Sequence, residues 1–397
     1  MASIALPAFV NQESKEFNYE ELHRVAKVVT GNLNRIIDIN FYPTEKTKRS
    51  NMLHRPIGIG VQGLADVFIL MDIPFHSEKA KEVNKMIFET IYHASLERSN
   101  EVAISRKELV KHIRSKLSPE HIEKIRQSLK LEQNITDYPD LSSKLSQIFF
   151  NNATNQNVVV AEILNIKEDE LSGSYSSFEG SPASKGQLQF DLWGVDPATT
   201  RYNWSELRES IQKHGLRNSL LVAPMPTAST SQILGYKECF EPLTSNLYTR
   251  RTLAGEFVVA NKYLMKDLIS LGLWNEKIKN NIIANKGSIQ QLTVLPEHIR
   301  EKYKIVWEMP MKHLIDMAAD RGAFICQSQS LNLWLEDPNY NTLTSMHFYS
   351  WKKGLKTGIY YLRRKAKHQA QQFTIEPEQI QEKNEETNDE ICEMCSA

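Results

Sequence analysis

Short apolar runs, each too brief for a helix, alternate along this chain with longer segments of helical period. That alternation limits the possible folds more than any other feature. Ala2 to Val10 is apolar and rich in β-formers. Asn18 to Ile37 then places Leu22, Val25, Ala26, Val29, Leu33, Ile36 and Ile37 on one face at helical spacing. Asn18 with Glu21 three positions on has the form of a capping box. A Gly-rich apolar stretch, Arg55 to Phe75, precedes a long second helix opening at Ser77, with Ala80, Val83, Ile87, Ile91 and Ala94 inward. Further on, Ser219 to Met225 and Lys353 to Leu362 read as strands, and Glu256 to Leu273 and Met309 to Arg321 as helices. Strands alternating with helices imply an α/β architecture with parallel strands.

The pattern breaks between 104 and 172. Arg106 to Leu131 is charged and helical, striped with Leu109, Ile113, Leu117, Ile122, Ile125 and Leu129, and a polar stretch follows near Phe149 to Asn157. This block reads as a helical insertion. The expected organisation is therefore a segment 1–103, the insertion 104–172, a second segment 173–367 and a tail 368–397. Gln371 to Glu390 is rich in Glu, Gln and Asn, so the tail lacks the apolar surface needed to fold and is expected to be disordered.

Hydrophobic residues make up 41% of the chain, enough for a sizeable core. Its 48 Lys and Arg balance 48 Asp and Glu, which argues against general nucleic-acid binding. Asp66 and Asp72 interrupt the best membrane-span candidate, Val61 to Phe75. Met1 to Val10 lacks the basic leader and cleavage site of a signal peptide. Four scattered cysteines do not make a disulfide framework, so a reduced, cytoplasmic protein is expected.

Two of those cysteines, Cys392 and Cys395, lie three positions apart near the chain end. A dithiol on a mobile arm suits thiol–disulfide exchange. An arm of roughly 25 residues has a root-mean-square reach of roughly 25–30 Å, enough to span from a surface to a buried site. Inert thiols on a disordered tail remain the alternative. Half of a zinc site is the other, but no second cysteine pair supplies the remaining ligands, and no metal site is expected. Cys239 and Cys326 read as structural thiols.

Gly58-Ile59-Gly60-Val61-Gln62-Gly63 matches a dinucleotide fingerprint on paper. Pro56 precedes it closely, and the acidic residues at the right distance fall in a separate helix, so close backbone packing is the better reading. Pro226-Thr227-Ala228-Ser229-Thr230 follows a strand and leads into a helix. Helix N-termini offer free N–H groups and partial positive charge to phosphate, and small hydroxyl residues add donors without bulk. An ordinary Ser/Thr helix cap is the alternative. Tyr360 and Tyr361 lie near the end of an expected strand, where adjacent phenols are either packing residues or carriers of a proton-coupled electron.

His54 to Asp66, Pro224 to Thr230, Glu241 to Arg251, Arg321 to Phe324, Gln327 to Asn332, Leu343 to Tyr349 and Gly354 to Arg363 together resemble the large subunit of class I ribonucleotide reductase, in the branch found in eukaryotes and large DNA viruses. The likeness covers roughly 1–103 and 173–374, plus the terminal Cys-x-x-Cys. It implies the second half of a ten-stranded α/β barrel, a five-stranded half-barrel with helices. It implies that Pro226, Thr227, Ala228, Ser229 and Thr230 cradle the diphosphate of a ribonucleoside diphosphate. Tyr360 and Tyr361 would relay a radical from a small, metal-bearing subunit. Cys392 and Cys395 would re-reduce an active-site disulfide and be restored by thioredoxin or glutaredoxin.

In the family the thiyl cysteine, its neighbouring Asn and Glu, and both active-site redox cysteines lie upstream of the matched region. The nucleotide effector sites lie there too. Met1 stands at the leucine of a family Cys-Asn-Leu, and Cys326 where an Asp is common. The resemblance therefore implies a C-terminal part that is inactive alone and needs an N-terminal large-subunit fragment. It implies no cofactor on this chain, with the radical cofactor on the small subunit and effectors on the N-terminal part. The alternative is a non-catalytic remnant that binds the small subunit or thioredoxin.

Overall fold

A computed structural model of the chain describes residues 1–116, 173–197, 199–252 and 255–365. The expected insertion beyond 116 and the tail with Cys392 and Cys395 lie outside the described residues. The strands are β1 (Ala2–Ala5), β2 (Val10–Asn11), β3 (Glu16–Phe17), β4 (Ile59–Gln62), β5 (Leu247–Thr252), β6 (Gly255–Ala260), β7 (Asn332–Leu335) and β8 (Tyr361–Arg364). The helices before the insertion are α1 (Tyr19–Ile39), α2 (Glu45–His54), α3 (Leu64–Leu70) and α4 (Glu78–Lys116). After it come α5 (Gln189–Leu192), α6 (Trp204–His214), α7 (Thr230–Leu234), α8 (Lys262–Ser270), α9 (Glu276–Ala284), α10 (Glu297–Lys302), α11 (Met311–Gly322) and α12 (Tyr340–Lys352).

The fold is α/β. β1 pairs with β4 and β7 with β8, both in parallel, whereas β2–β3 and β5–β6 are antiparallel hairpins. The expected strand at Ser219 to Met225 is reduced to a single parallel bridge, Ile59 to Val222. The reason is local. Pro224 and Pro226 have no N–H to give a ladder, and the N–H groups of Leu221 and Val222 donate to Cys326 Sγ at 3.1 and 3.2 Å. Backbone bonds still tie this segment to both sides, from Ile59 N to Leu221 O and from Gln327 N to Val222 O.

Three other expectations shift for equally local reasons. The apolar start forms a strand only to Ala5, because Pro7 opens a 3₁₀ turn over Leu6–Phe9. Gly255–Ala260 is a strand, and the helix expected there waits for Asn261, whose side chain accepts from Tyr263 N and Leu264 N. Lys353 to Leu362 is not a strand throughout. α12 runs to Lys352, Gly354 turns the chain at φ 77°, and β8 begins only at Tyr361. The expected boundary at 103/104 falls inside α4, which continues to Lys116.

α1 and α4 pack against each other, α1 also packs against β1, and the apolar faces of both helices join the main core. Ala80, Val83, Ile87, Ile91 and Ala94 of α4 are all buried. In α1 the Asn18 side chain accepts from Glu21 N at 2.9 Å, but the Glu21 carboxylate turns to Arg24, so only half of the box forms. α1 is also rotated from its apolar reading. Ile36 is 49% exposed, while Thr30, Asn34 and Asp38 are buried.

That rotation feeds a polar network. Asn34 and Asn218 exchange two amide hydrogen bonds, of 2.8 and 3.0 Å. Asn218 Oδ1 also accepts from Ser99 Oγ of α4, and Asn218 Nδ2 donates to Arg55 O. The Arg55 guanidinium, 1% exposed, donates to Asp38 at 2.7 Å. The network joins α1 and α4 to the corner before β4 and to the segment leading toward Thr227. A smaller second core, including Leu264, Leu268, Ile282 and Tyr303, holds β5 and helices α8 to α10 together.

Candidate active site

The Gly58-x-Gly60 spacing serves backbone approach. A Cβ on Gly60 would lie 3.1 Å from Pro224 Cα and 3.2 Å from Met225 N. β4 thereby runs tight against the segment that carries the Pro226 to Thr230 loop. Gly63 sits at φ 81°, and a Cβ there would lie 2.6 Å from Pro7 Cγ.

Thr227 is the turning point of that loop. It is buried and holds φ 54°, a left-handed conformation that is strained for a β-branched residue. Its Oγ1 accepts from Cys239 N at 2.8 Å, and its carbonyl accepts from both Ser231 N and Ser231 Oγ. The loop base is therefore braced from within, and the Thr227 hydroxyl, expected among the outward donors, is engaged in the fold. Ala228, Ser229 and Thr230 are exposed. Their backbone N–H groups donate to no acceptor among the described residues. α7 begins at Thr230, and Ser229, at its N-cap position, makes no side-chain cap bond. The plain-cap alternative thus lacks its hydrogen bond.

This arrangement makes Ser229→Ala diagnostic. If Ser229 donates to a diphosphate, as the resemblance implies, the substitution should weaken that binding by about 1 kcal/mol, the net worth of one hydrogen bond. Thermal stability should stay the same, since no protein bond is removed. Calorimetric titration of the assembled enzyme beside a melting curve checks this; equal losses in both would assign Ser229 to the fold.

Tyr360 is the last residue before β8 and Tyr361 the first within it. Successive residues of a regular strand point to opposite faces, but this pair spans the strand start. Their rings meet edge to face, with centroids 4.4 Å apart. Both are about half exposed, at 47% and 52%. A hydrogen bond with Tyr361 raises the pKa of the Tyr360 phenol above its ordinary value. Arg363 lies 5.2 Å from the Tyr361 ring centroid.

Residues that sequence reading did not single out hold this pair. Tyr361 N donates to Asn332 Oδ1 at 3.1 Å, and Asn332 Nδ2 donates to Glu241 Oε1 at 2.6 Å. Glu241 is buried, and burial raises its carboxyl above the usual carboxylate range. Glu241 opens the Glu241 to Arg251 motif and Asn332 closes the Gln327 to Asn332 motif, which was the available signal. Tyr360 N donates to Leu331 O, and Ser330 N to Pro224 O. One hydrogen-bonded path therefore runs from the tyrosine pair to the root of the loop. Cys239 and Cys326 stand apart from this chemistry, because burial pushes both thiols up and keeps them protonated.

Parallel strand pairs flanked by helices, with a braced loop and paired phenols on one backbone path, define an α/β domain. Comparison with known proteins narrows the class. The family profile described as "Ribonucleotide reductase, barrel domain" matches residues 1–159 and 166–361. The ribonucleoside-diphosphate reductase large chain of Schizosaccharomyces pombe is 48% identical over 390 residues, covering 98% of this chain and 40% of that one. The large subunit from Caenorhabditis elegans is 47% identical, covering 100% of this chain and 43% of its own. The class Id ribonucleotide reductase alpha subunit of Actinobacillus ureae shares the fold, with TM-score 0.54 at 22% identity over 92% of this chain and 49% of that one.

The chain belongs to the ribonucleotide reductase barrel-domain family. It spans about 40% of the length of the curated relatives it matches, as a C-terminal part. Among the described residues no helix is long and apolar enough to cross a membrane.

Proposed function

We propose that this chain is the C-terminal part of a ribonucleoside-diphosphate reductase large subunit. It acts in the thiyl-radical reduction of ribonucleoside diphosphates to deoxyribonucleoside diphosphates once an N-terminal fragment supplies the catalytic cysteines. The observation that carries this reading is 48% identity with a reductase large chain over 98% of the sequence.

In this reading Pro226 to Thr230 hold the diphosphate through the free N–H groups of Ala228, Ser229 and Thr230. Tyr360 and Tyr361 relay the radical from a small subunit, which carries the radical cofactor; this chain holds none. Cys392 and Cys395 pass two electrons and two protons to the active-site disulfide and become a disulfide themselves. Thioredoxin or glutaredoxin then reduces them. Nucleotide effectors bind the N-terminal part. The setting is the cytoplasm, with neither nucleic acid nor membrane as partner.

The finer fold is a five-stranded half of a ten-stranded barrel. Its support is the connected order of β1, β4, the segment through Val222, the segment through Gln327 into β7, and β8.

Reconstitution tests the reading. The chain with small subunit and dithiothreitol should form no deoxynucleotide, and adding the N-terminal fragment should restore turnover. Turnover without that fragment would overturn the split site. Assembly without turnover would favour the non-catalytic binding protein.

A further inference from the structure

His23, in the second turn of α1, faces His93 and Glu97 on α4, and the three meet at the helix interface. His23 Nε2 lies 2.9 Å from His93 Nδ1 and 3.5 Å from Glu97 Oε2. All three ligand atoms fall within 4.8 Å of one another. For metal–ligand bonds of 2.0–2.1 Å, tetrahedral geometry places ligand atoms roughly 3.3 Å apart. The two short edges bracket that value. We propose that His23, His93 and Glu97 form a binding site for a divalent transition metal of the zinc class, clamping α1 to α4.

Three further features support the site. His93 and Glu97 are one helical turn apart, so both project from the same face of α4. Tyr202 stacks on both imidazoles, at 5.4 Å from His23 and 4.3 Å from His93, and Trp204 meets His93 edge-on at 4.9 Å. These rings hold the imidazole planes in place, as outer groups do around metal ligands. The His23 and Glu97 side chains are partly exposed, which opens the site to solvent, and a cleft of about 920 Å³ adjoins it on the His23 and Lys27 side.

The chemistry balances without an added reactant. The proton shared by the facing nitrogens sits on one imidazole. Moving it to the outer nitrogen of the same ring frees both facing nitrogens as lone pairs. Lys27 Nζ competes for the site, lying 2.9 Å from Glu97 Oε2 outside hydrogen-bond alignment. It also pairs with Glu101, so it keeps a carboxylate partner when the metal takes Glu97.

The test titrates Co²⁺ into the full-length chain carrying Cys392→Ser and Cys395→Ser, which removes the competing tail thiols. One equivalent should bind with the visible d–d absorption of a four-coordinate nitrogen–oxygen site, and Zn²⁺ should displace it. His23→Gln and Glu97→Gln should each abolish that absorption and leave far-UV circular dichroism unchanged, since neither side chain is fully buried. Absence of the signal at one equivalent overturns the site, as does its survival in His23→Gln. Either result leaves the imidazoles as a proton-sharing pair. The outcome is independent of the reductase reading.

Discussion

Tyr360→Phe and Tyr361→Phe should each stop turnover in the assembled reductase while changing stability by no more than about 0.5 kcal/mol, as for other exposed sites. The two phenols are half exposed and in ring contact, so losing either hydroxyl removes little packing. Phe is far harder to oxidise than Tyr, and the proposed relay needs both positions. A tyrosine phenol is protonated at neutral pH, and the hydrogen bond with Tyr361 shifts Tyr360 further in that direction, so an electron leaving it must be accompanied by its proton. Deoxynucleotide formation under single-turnover conditions, beside melting curves of each variant, separates the two effects. Full activity with Phe at both positions would make these tyrosines structural.

The second large effect is on folding. Asp38→Ala should destabilise the chain by about 3–5 kcal/mol, because it leaves the Arg55 guanidinium buried without its carboxylate. Arg55 keeps a bond to the Asn34 carbonyl at 3.2 Å, which does not neutralise its charge. Asp38→Asn should cost less, since an amide oxygen still accepts from the guanidinium. The damage should reach beyond this corner. Arg55 O holds Asn218, which anchors the segment leading to the Pro226–Thr230 loop. Urea unfolding of the three proteins measures the cost, and a difference under 1 kcal/mol would show that solvent reaches Arg55 freely.

The long helices were legible from periodicity. α4 buries Ala80, Val83, Ile87, Ile91 and Ala94 as its pattern named them, and α1 starts at the Asn18 cap. The strands were less legible. Pro7, Asn261 and Gly354 each moved a boundary through local chemistry, and Cys326 Sγ took two N–H groups that a ladder would have used. The loop and tyrosine pair could be located through their motifs. Their geometry could not, because Thr227 faces inward only on account of Cys239, twelve positions further on.

Sequence alone determined what depends on neighbours along the chain: helical faces, caps, the glycine spacing that admits close backbone, and the family motifs. Tertiary structure decided the rest. An apolar count placed Ile36 inside, yet the reciprocal Asn34–Asn218 pair and the Asp38–Arg55 ion pair turn that face of α1 inward and leave Ile36 in solvent. The same packing brings His23 to His93, 70 positions away. Buried polar groups must find partners. Those partners are set by which helices pack together, a long-range choice that no local spacing encodes.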